Sequence, residues 1–421
     1  MPDIKSLNDV FKRLSSLGLA DGLTIGIRTG DNAFSAVTPT ANAADITEKD
    51  IIAVTLSDSL PDNKGALSIL KTVYSLKPEA AAVITASPIY LSALSECAIT
   101  IPPILDDFAQ IIGPTLKTAE DTSKILAALK GRNGCMLKGS GVIVCGSSLT
   151  EAVTALIVAE KAAKTYVLSG FLSKPAPLPL WEAVLMNFIY KKKYSKTEEK
   201  AKAAPAAEPT VLTETQPRTL LAEYGRRLVK ENLVQGTWGN ISVRLDEKRM
   251  LVTPSGMDYM NLSPSDMVEV NIETLEYTGP LKPTSERKLH AAIYRARPEI
   301  GAVIHTHSEY CSIAAAARAE LPSTPETVAV IGETLRCAAY GLPGTKKMTS
   351  ATIAALANRN GCYLANHGAV VSAATLESAF DACKALELAT KEYIEVSVVK
   401  KSDGKADIFS DELAIGLFKN I

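Results

Sequence analysis

Residues 296–314 read ARPEIGAVIHTHSEYCSIA, and residues 76–94 read LKPEAAAVITASPIYLSAL. In the later stretch Gly301 to His305 is a short β-branched and apolar run that follows Pro298, which predicts a buried strand. Working outward, GCMLKGSGVIVCGSSLTEA at 134–152 aligns with GCYLANHGAVVSAATLESA at 361–379, and Val37-Thr38-Pro39 corresponds to Val252-Thr253-Pro254. Order and spacing are kept at a period of about 220 residues, so the chain reads as two copies of one fold.

The length agrees. At 421 residues the chain exceeds what a single hydrophobic core supports, and two domains are expected. Between the copies, Lys191 to Pro217 reads KKKYSKTEEKAKAAPAAEPTVLTETQP, charged, rich in Ala and Pro, and almost without bulky apolar residues. Such a stretch buries too little surface to offset its ordering entropy, although KTEEKAKAA has the composition of a solvated helix. The expected organisation is therefore a first domain over 1–190, a linker over 191–214 and a second domain over 215–421. With 45 Lys and Arg against 46 Asp and Glu, the chain lacks the positive excess of a nucleic-acid binder. Charges interrupt the apolar residues of Met1 to Ala20, and no later run is long and charge-free enough to span a membrane. Seven cysteines without a C-x-x-C pair disfavour a disulfide framework or a thiolate zinc site, and read as a reducing, cytoplasmic setting.

What differs between the copies points to the chemistry. All four histidines, His290, His305, His307 and His367, lie in the second copy, and the matched positions of the first are Leu70, Thr85, Ser87 and Ser140. His305 and His307 are two apart, which on an extended backbone puts both imidazoles on one face. His367 follows the apolar run from Cys362 to Ala365 and precedes a glycine, the position of a second strand end. Three neutral imidazoles meeting there suit Zn²⁺ with one coordination position open; an H-x-H pair by itself is equally compatible with two packed histidines.

Leu289, Ala292, Ile293 and Ala296 recur at helical spacing, so a helix is expected to begin near Ser285, just after Pro283 and Thr284. Its N-terminus with hydroxyl side chains offers N–H groups and a favourable dipole to phosphate; an ordinary N-cap uses the same residue types. Glu286 falls in the first turn, where an acid also complements the dipole. Ser285 and Glu286 are matched by Gly65 and Ala66, so hydroxyl and acid vanish together with the histidines. His290, one turn on, reads as packing or as support for the site. The turns GTWGNISVR at 236–244 and TPSGMDY at 253–259 can form phosphate cradles or plain hairpin turns, and neither is a P-loop or a dinucleotide fingerprint.

Taken together, G-T-W-G-N-I-S-V-R, T-P-S-G, P-T-S-E, H-T-H, N-H-G and the tail Ser410-Asp411-Glu412 resemble the class II aldolase/adducin family. The resemblance covers nearly all of 215–421, with 1–190 similar to a degenerate member. It implies tandem three-layer α/β/α domains around a mostly antiparallel central sheet. It also implies that His305, His307 and His367 bind a catalytic zinc, one per chain. Glu286 is implied to act as base and to serve as a further ligand when substrate is absent. Gly239, Asn240, Ser255, Gly256, Thr284 and Ser285 match the residues that hold the substrate phosphate. The implied reaction is cleavage or formation of a C–C bond in a small ketose phosphate, giving dihydroxyacetone phosphate or a close analogue plus an aldehyde, with the zinc as Lewis acid.

The tyrosines that the family places after the H-x-H helix and near the C-terminus are absent: the loop reads Leu321 to Gly332, LPSTPETVAVIG, and Phe418 is the last aromatic residue. Tyr90 from the first copy of a neighbouring chain is the candidate replacement. Alternatives to the aldolase are a ribulose-5-phosphate 4-epimerase-like enzyme, whose relatives carry Asp at the position of Glu286, and a non-catalytic adducin-like assembly module. The expected partner is a small sugar phosphate, without nucleic acid or membrane. A homo-oligomer is also expected, and a dimer closing four domains into a pseudo-fourfold ring is the form the duplication suggests.

Overall fold

The computed structural model describes residues 3–38, 45–57, 65–193, 215–234 and 237–419. Met1–Val167, Leu178–Tyr190 and Ser410–Ile421 form one compact unit, and Leu168–Pro177 with Lys191–Phe409 form a second.

Seven strands make the sheet of the first unit: β1 Thr24–Gly30, β2 Ala33–Val37, β3 Ile51–Thr55, β4 Ala82–Ala86, β5 Thr118–Ala119, β6 Gly134–Leu137 and β7 Gly141–Gly146. Their spatial order is β3-β2-β1-β4-β7-β6-β5. The second unit contributes β8 Asn240–Arg244, β9 Arg249–Val252, β10 Val268–Asn271, β11 Ala302–Thr306, β14 Cys337–Ala338, β15 Gly361–Leu364 and β16 Gly368–Ala373, in the order β10-β9-β8-β11-β16-β15-β14. A small ribbon of β12 Leu321–Pro322 and β13 Thr334–Leu335 pairs separately. The two orders coincide strand for strand. Within each large sheet neighbours are antiparallel, except β5 with β6 and β14 with β15. The tandem α/β arrangement around mostly antiparallel sheets is thus what the sequence led one to expect.

Alternation along buried strands builds two cores on the second sheet. Ile304, Leu251 and Val371 pack on one side with Leu228, Ala314 and Phe380, from the helices Thr215–Lys230, Glu309–Ala317 and Leu376–Lys401. Their sequence neighbours Val303, Met250 and Val370 pack on the other side with Leu289, Ile293 and Met348, from the helices Arg287–Ala296 and Lys346–Leu356. Because successive strand residues point to opposite faces, a sheet covered by helices on both sides needs the continuous apolar runs seen in β11 and β16.

The backbone repeats even where the chemistry does not. Gly139 and Asn366, at matched positions in the turns after β6 and β15, have φ of 69° and 61°. Glu160 accepts from the N–H groups of Tyr90 and Leu91, and Glu387 likewise caps the matched helix through Tyr310 and Cys311.

Several boundaries differ from expectation. The helix expected from Ser285 starts at Arg287, because Glu286 at its N-cap is pulled into the site described below. The helix Leu180–Lys193 runs into the stretch assigned to the linker, whose remainder, 194–214, lies outside the described residues, as do Pro39 and Gly236. The tail motif Ser410-Asp411-Glu412 opens the helix Asp411–Phe418, with Ser410 accepting from the Leu413 N–H at 3.1 Å; this helix belongs to the first unit.

Candidate metal centre and active site

β11 pairs with β8 on one side and β16 on the other, which sets His305 opposite Asn240 and Val370. His305 shares the face of Val303, and His307 follows on the same side just past the strand end. His367 comes from the tight turn between β15 and β16, where Asn366 takes the left-handed conformation that asparagine tolerates better than most residues. The next residue must be glycine: a Cβ at Gly368 would lie 2.2 Å from the Thr306 carbonyl oxygen. That close approach carries His367 over to the other two rings. His305 Nε2 lies 2.9 Å from His307 Nε2 and 2.9 Å from His367 Nε2.

The tautomer of His305 follows from its other nitrogen. Nδ1 lies 2.8 Å from the Ala369 carbonyl oxygen, which can only accept, so Nδ1 carries the proton and Nε2 presents a lone pair to the centre. Burial holds the His305 pKa well below the ordinary imidazole value, against the pull of Glu286, and keeps the ring neutral.

Glu286 completes the cluster. Its Oε2 accepts from Asn240 Nδ2 at 2.9 Å and lies 3.1 Å from His305 Nε2, while Oε1 lies 3.1 Å from His367 Nε2 without a hydrogen bond. Burial resists a charge here, but the His305 and His367 rings and the Asn240 amide outweigh it, and the carboxyl is held well below its usual range. Three imidazoles whose ligand atoms lie within 4.8 Å of one another, beside a buried carboxylate oxygen that no donor satisfies, fit a divalent transition-metal ion.

Four of the six residues expected at the substrate phosphate, Ser255, Gly256, Thr284 and Ser285, lie on two apposed turns next to Glu286. Thr284 N–H donates to the Thr253 carbonyl at 3.0 Å, and Ser255 N–H to the Lys282 carbonyl at 2.9 Å. Gly256 and Ser285 are exposed on these turns, and Ser255 is half-buried. Thr284 is buried, with its Oγ1 accepting from the Glu286 N–H at 3.3 Å. Gly239 leads into β8 with φ of 92°, in the left-handed region. The side chain of Asn240 points inward instead: besides Glu286 it contacts His290, whose Nε2 lies 2.5 Å from Asn240 Oδ1.

Three residues unremarked in the sequence also belong to the site. Trp238 sets its ring 5.5 Å from that of His307. Ser242 and Tyr294 continue the polar contacts of His290 into the core. The signal available for Ser242 was its replacement by a glycine, Gly26, in the other copy.

Tyr90 does not serve as expected. It is buried in the first unit, where its hydroxyl donates to Asp411 at 2.5 Å, so it offers no group to a neighbouring chain. At the positions of the three clustered histidines this unit has Thr85, Ser87 and Ser140, and a cavity of about 740 Å³ is lined there by Ser87, Ser140, Glu412 and Lys419.

The family model of the Class II Aldolase and Adducin N-terminal domain matches residues 5–167 and again 219–394. The 5-deoxy-D-ribulose 1-phosphate aldolase of Bacillus thuringiensis serovar kurstaki is 33% identical over 183 residues, 43% of this chain and 86% of that protein. The L-fuculose phosphate aldolase of Escherichia coli K12 is 30% identical over 193 residues, 46% of this chain and 88% of that protein. The 3-oxo-tetronate 4-phosphate decarboxylase of Haemophilus influenzae is 31% identical over 186 residues, 43% of this chain and 88% of that protein. Among solved structures, an L-fuculose 1-phosphate aldolase aligns with a TM-score of 0.43 and 31% identity, over 50% of this chain and 99% of that one. Matched by one family model in each of its halves, the chain belongs to the class II aldolase and adducin family.

Proposed function

We propose that the second copy is a zinc-dependent aldolase that cleaves or forms a C–C bond in a small ketose phosphate. The products would be dihydroxyacetone phosphate, or a close analogue, and an aldehyde. The observation that carries this reading is the meeting of His305, His307, His367 and Glu286 in one buried cluster beside two exposed turns rich in hydroxyl and N–H groups. Bound by the three imidazoles, zinc would supply a Lewis acid for the substrate oxygens. Gly239, Ser255, Gly256, Thr284 and Ser285 would hold the phosphate and so orient the reacting carbons, with Asn240 supporting Glu286 from beneath. In the cleavage direction the hydroxyl on the carbon that becomes the aldehyde gives its proton to water as the C–C bond breaks, the electron pair of that bond stays on the carbon next to the carbonyl, and Glu286 returns a proton there. In synthesis it removes the same proton.

On this reading residues 1–190 and 215–421 are the two domains, the first without metal, in a cytoplasmic homo-oligomer. Glutamate rather than aspartate at position 286 favours the aldolase over a 4-epimerase. The test is metal content of the purified protein together with a screen of ketose phosphates for aldehyde release. About one zinc per chain and cleavage of one or more of them are expected. Metal-free protein that recovers no activity with zinc, cobalt or manganese would favour the non-catalytic assembly module.

A further inference from the structure

Beneath Glu286 runs a chain of buried polar side chains that is hydrogen-bonded to that carboxylate. Asn240 Nδ2 lies 2.9 Å from Glu286 Oε2, and Asn240 Oδ1 lies 2.5 Å from His290 Nε2. His290 Nδ1 lies 2.6 Å from Ser242 Oγ, which lies 2.8 Å from the Tyr294 hydroxyl. Asn240 and Ser242 are on one face of β8, and His290 and Tyr294 are one turn apart on the helix Arg287–Ala296 that covers it. Each of the five residues is buried.

Simple donor and acceptor rules order the whole chain. An ionised carboxylate only accepts, so the atom of the Asn240 amide that faces Glu286 is its NH₂ and the atom that faces His290 is its oxygen. His290 Nε2 must therefore carry a proton. Burial lowers the His290 pKa to about 4, against the opposing pull of Glu286, so the ring is neutral and Nδ1 is left as an acceptor. Ser242 then donates to Nδ1, and Tyr294 donates to Ser242. Flipping the amide would set its oxygen against the carboxylate, and moving the His290 proton to Nδ1 would set a lone pair against Asn240 Oδ1, so either alternative leaves a buried acceptor facing an acceptor.

We propose that His290 is a positioning residue for Glu286: by donating from Nε2 it fixes which way round the Asn240 amide sits, and the amide thereby aims the Glu286 carboxylate at the metal centre. The proposal rests on the reading of Glu286 as the acid–base group beside a metal.

The first copy provides an internal comparison. By sheet register Thr24 and Gly26 occupy the places of Asn240 and Ser242, with Leu70 and Ala66 at those of His290 and Glu286. Only the tyrosine persists: Tyr74 is at the position of Tyr294, and its buried hydroxyl is left without a side-chain partner. Three members, Asn240, Ser242 and His290, have been replaced together with the carboxylate they serve, in a unit whose sheet order is unchanged. A chain needed only for packing would not be expected to follow the carboxylate in this way.

The experiment uses the full-length protein loaded with zinc and labelled with ¹⁵N-histidine, and the variants His290→Leu and His290→Gln. Leucine is what the first copy tolerates at this place, and glutamine keeps one donor and one acceptor. NMR should find His290 as the neutral Nε2–H tautomer at neutral pH. His290→Leu should weaken zinc, measured by chelator competition, or lower kcat by about 10–100-fold, the usual effect of removing an outer support. KM should change little, and His290→Gln should recover most of the loss. An Nδ1–H tautomer or an imidazolium would overturn the proposal, as would equal zinc affinity and kcat in wild type and His290→Leu. A wild-type protein that cleaves no ketose phosphate would instead count against the aldolase reading, while the tautomer and the zinc affinities still decide the role of His290.

Discussion

Gly239→Ala tests whether the site depends on how closely β8 approaches β11. The new Cβ would lie 2.7 Å from the His305 carbonyl oxygen and 2.8 Å from Val234 Cγ1. Ordinary contact begins near 3.5 Å, so both neighbours have to give way, by roughly 0.7–0.8 Å. The φ of 92° is a separate penalty for an L side chain. Overpacking costs about 1–3 kcal/mol and the left-handed backbone about 1–2 kcal/mol, which together give about 2–5 kcal/mol. For a unit of this size that corresponds to a Tm lower by about 4–20 °C. Gly256→Ala is the matched control, because Gly256 also has positive φ, 75°, but a Cβ there meets nothing within 4 Å. The control should show only the backbone part, about 1–2 kcal/mol. Since His305 lies directly opposite Asn240, Gly239→Ala should also lose zinc affinity while Gly256→Ala keeps it. Thermal melts with and without zinc, with chelator competition, read both effects. Equal melting temperatures and equal zinc affinities for the two variants would refute the steric argument.

Other perturbations have defined signs. His305→Ala should lower metal from about one ion per chain to a trace by elemental analysis, because two remaining imidazoles leave a three-ligand site incomplete. His290 is neutral in the folded protein and ordinary when unfolded, so below about pH 6.5 the unfolded chain binds a proton that the native chain does not. Stability is therefore lost as pH falls from about 6.5 toward the folded value of about 4, by up to roughly 3 kcal/mol from this group. Urea unfolding of His290→Leu should show a shallower fall over that window; an unchanged slope would contradict a buried neutral ring. In the first unit, Lys161 and Asp107 pair at 3.0 Å, both almost wholly buried. Lys161→Met should destabilise by about 3–5 kcal/mol because it removes the cation paired with a buried carboxylate, and Tm is the measurement.

The duplication and the histidine cluster were legible because both are written in local patterns. The runs around 76–94 and 296–314 repeat as text, and two histidines two residues apart on a strand share a face in any sheet. His367 could be assigned to the cluster because its position is set by the short turn between two apolar runs. The helix start near Ser285 was misplaced by two residues because Glu286 leaves the helical path to meet the histidines, a tertiary attraction that propensity does not encode. Tyr90 was misjudged because nothing in its own neighbourhood shows that the chain's last helix supplies Asp411 to its hydroxyl.

The sequence by itself determined that one fold is used twice and that the second copy alone holds the imidazoles and the acid matched to Ala66. These are properties of residue type and short-range spacing. Only the tertiary structure decided the direction in which side chains spend their hydrogen bonds: that Asn240 turns inward to Glu286, that His290 and Ser242 stand behind it, and that Tyr90 is closed off. Such choices depend on which residues from distant segments become buried together, because a donor or acceptor removed from water has to find its partner among whatever the fold brings within about 3 Å.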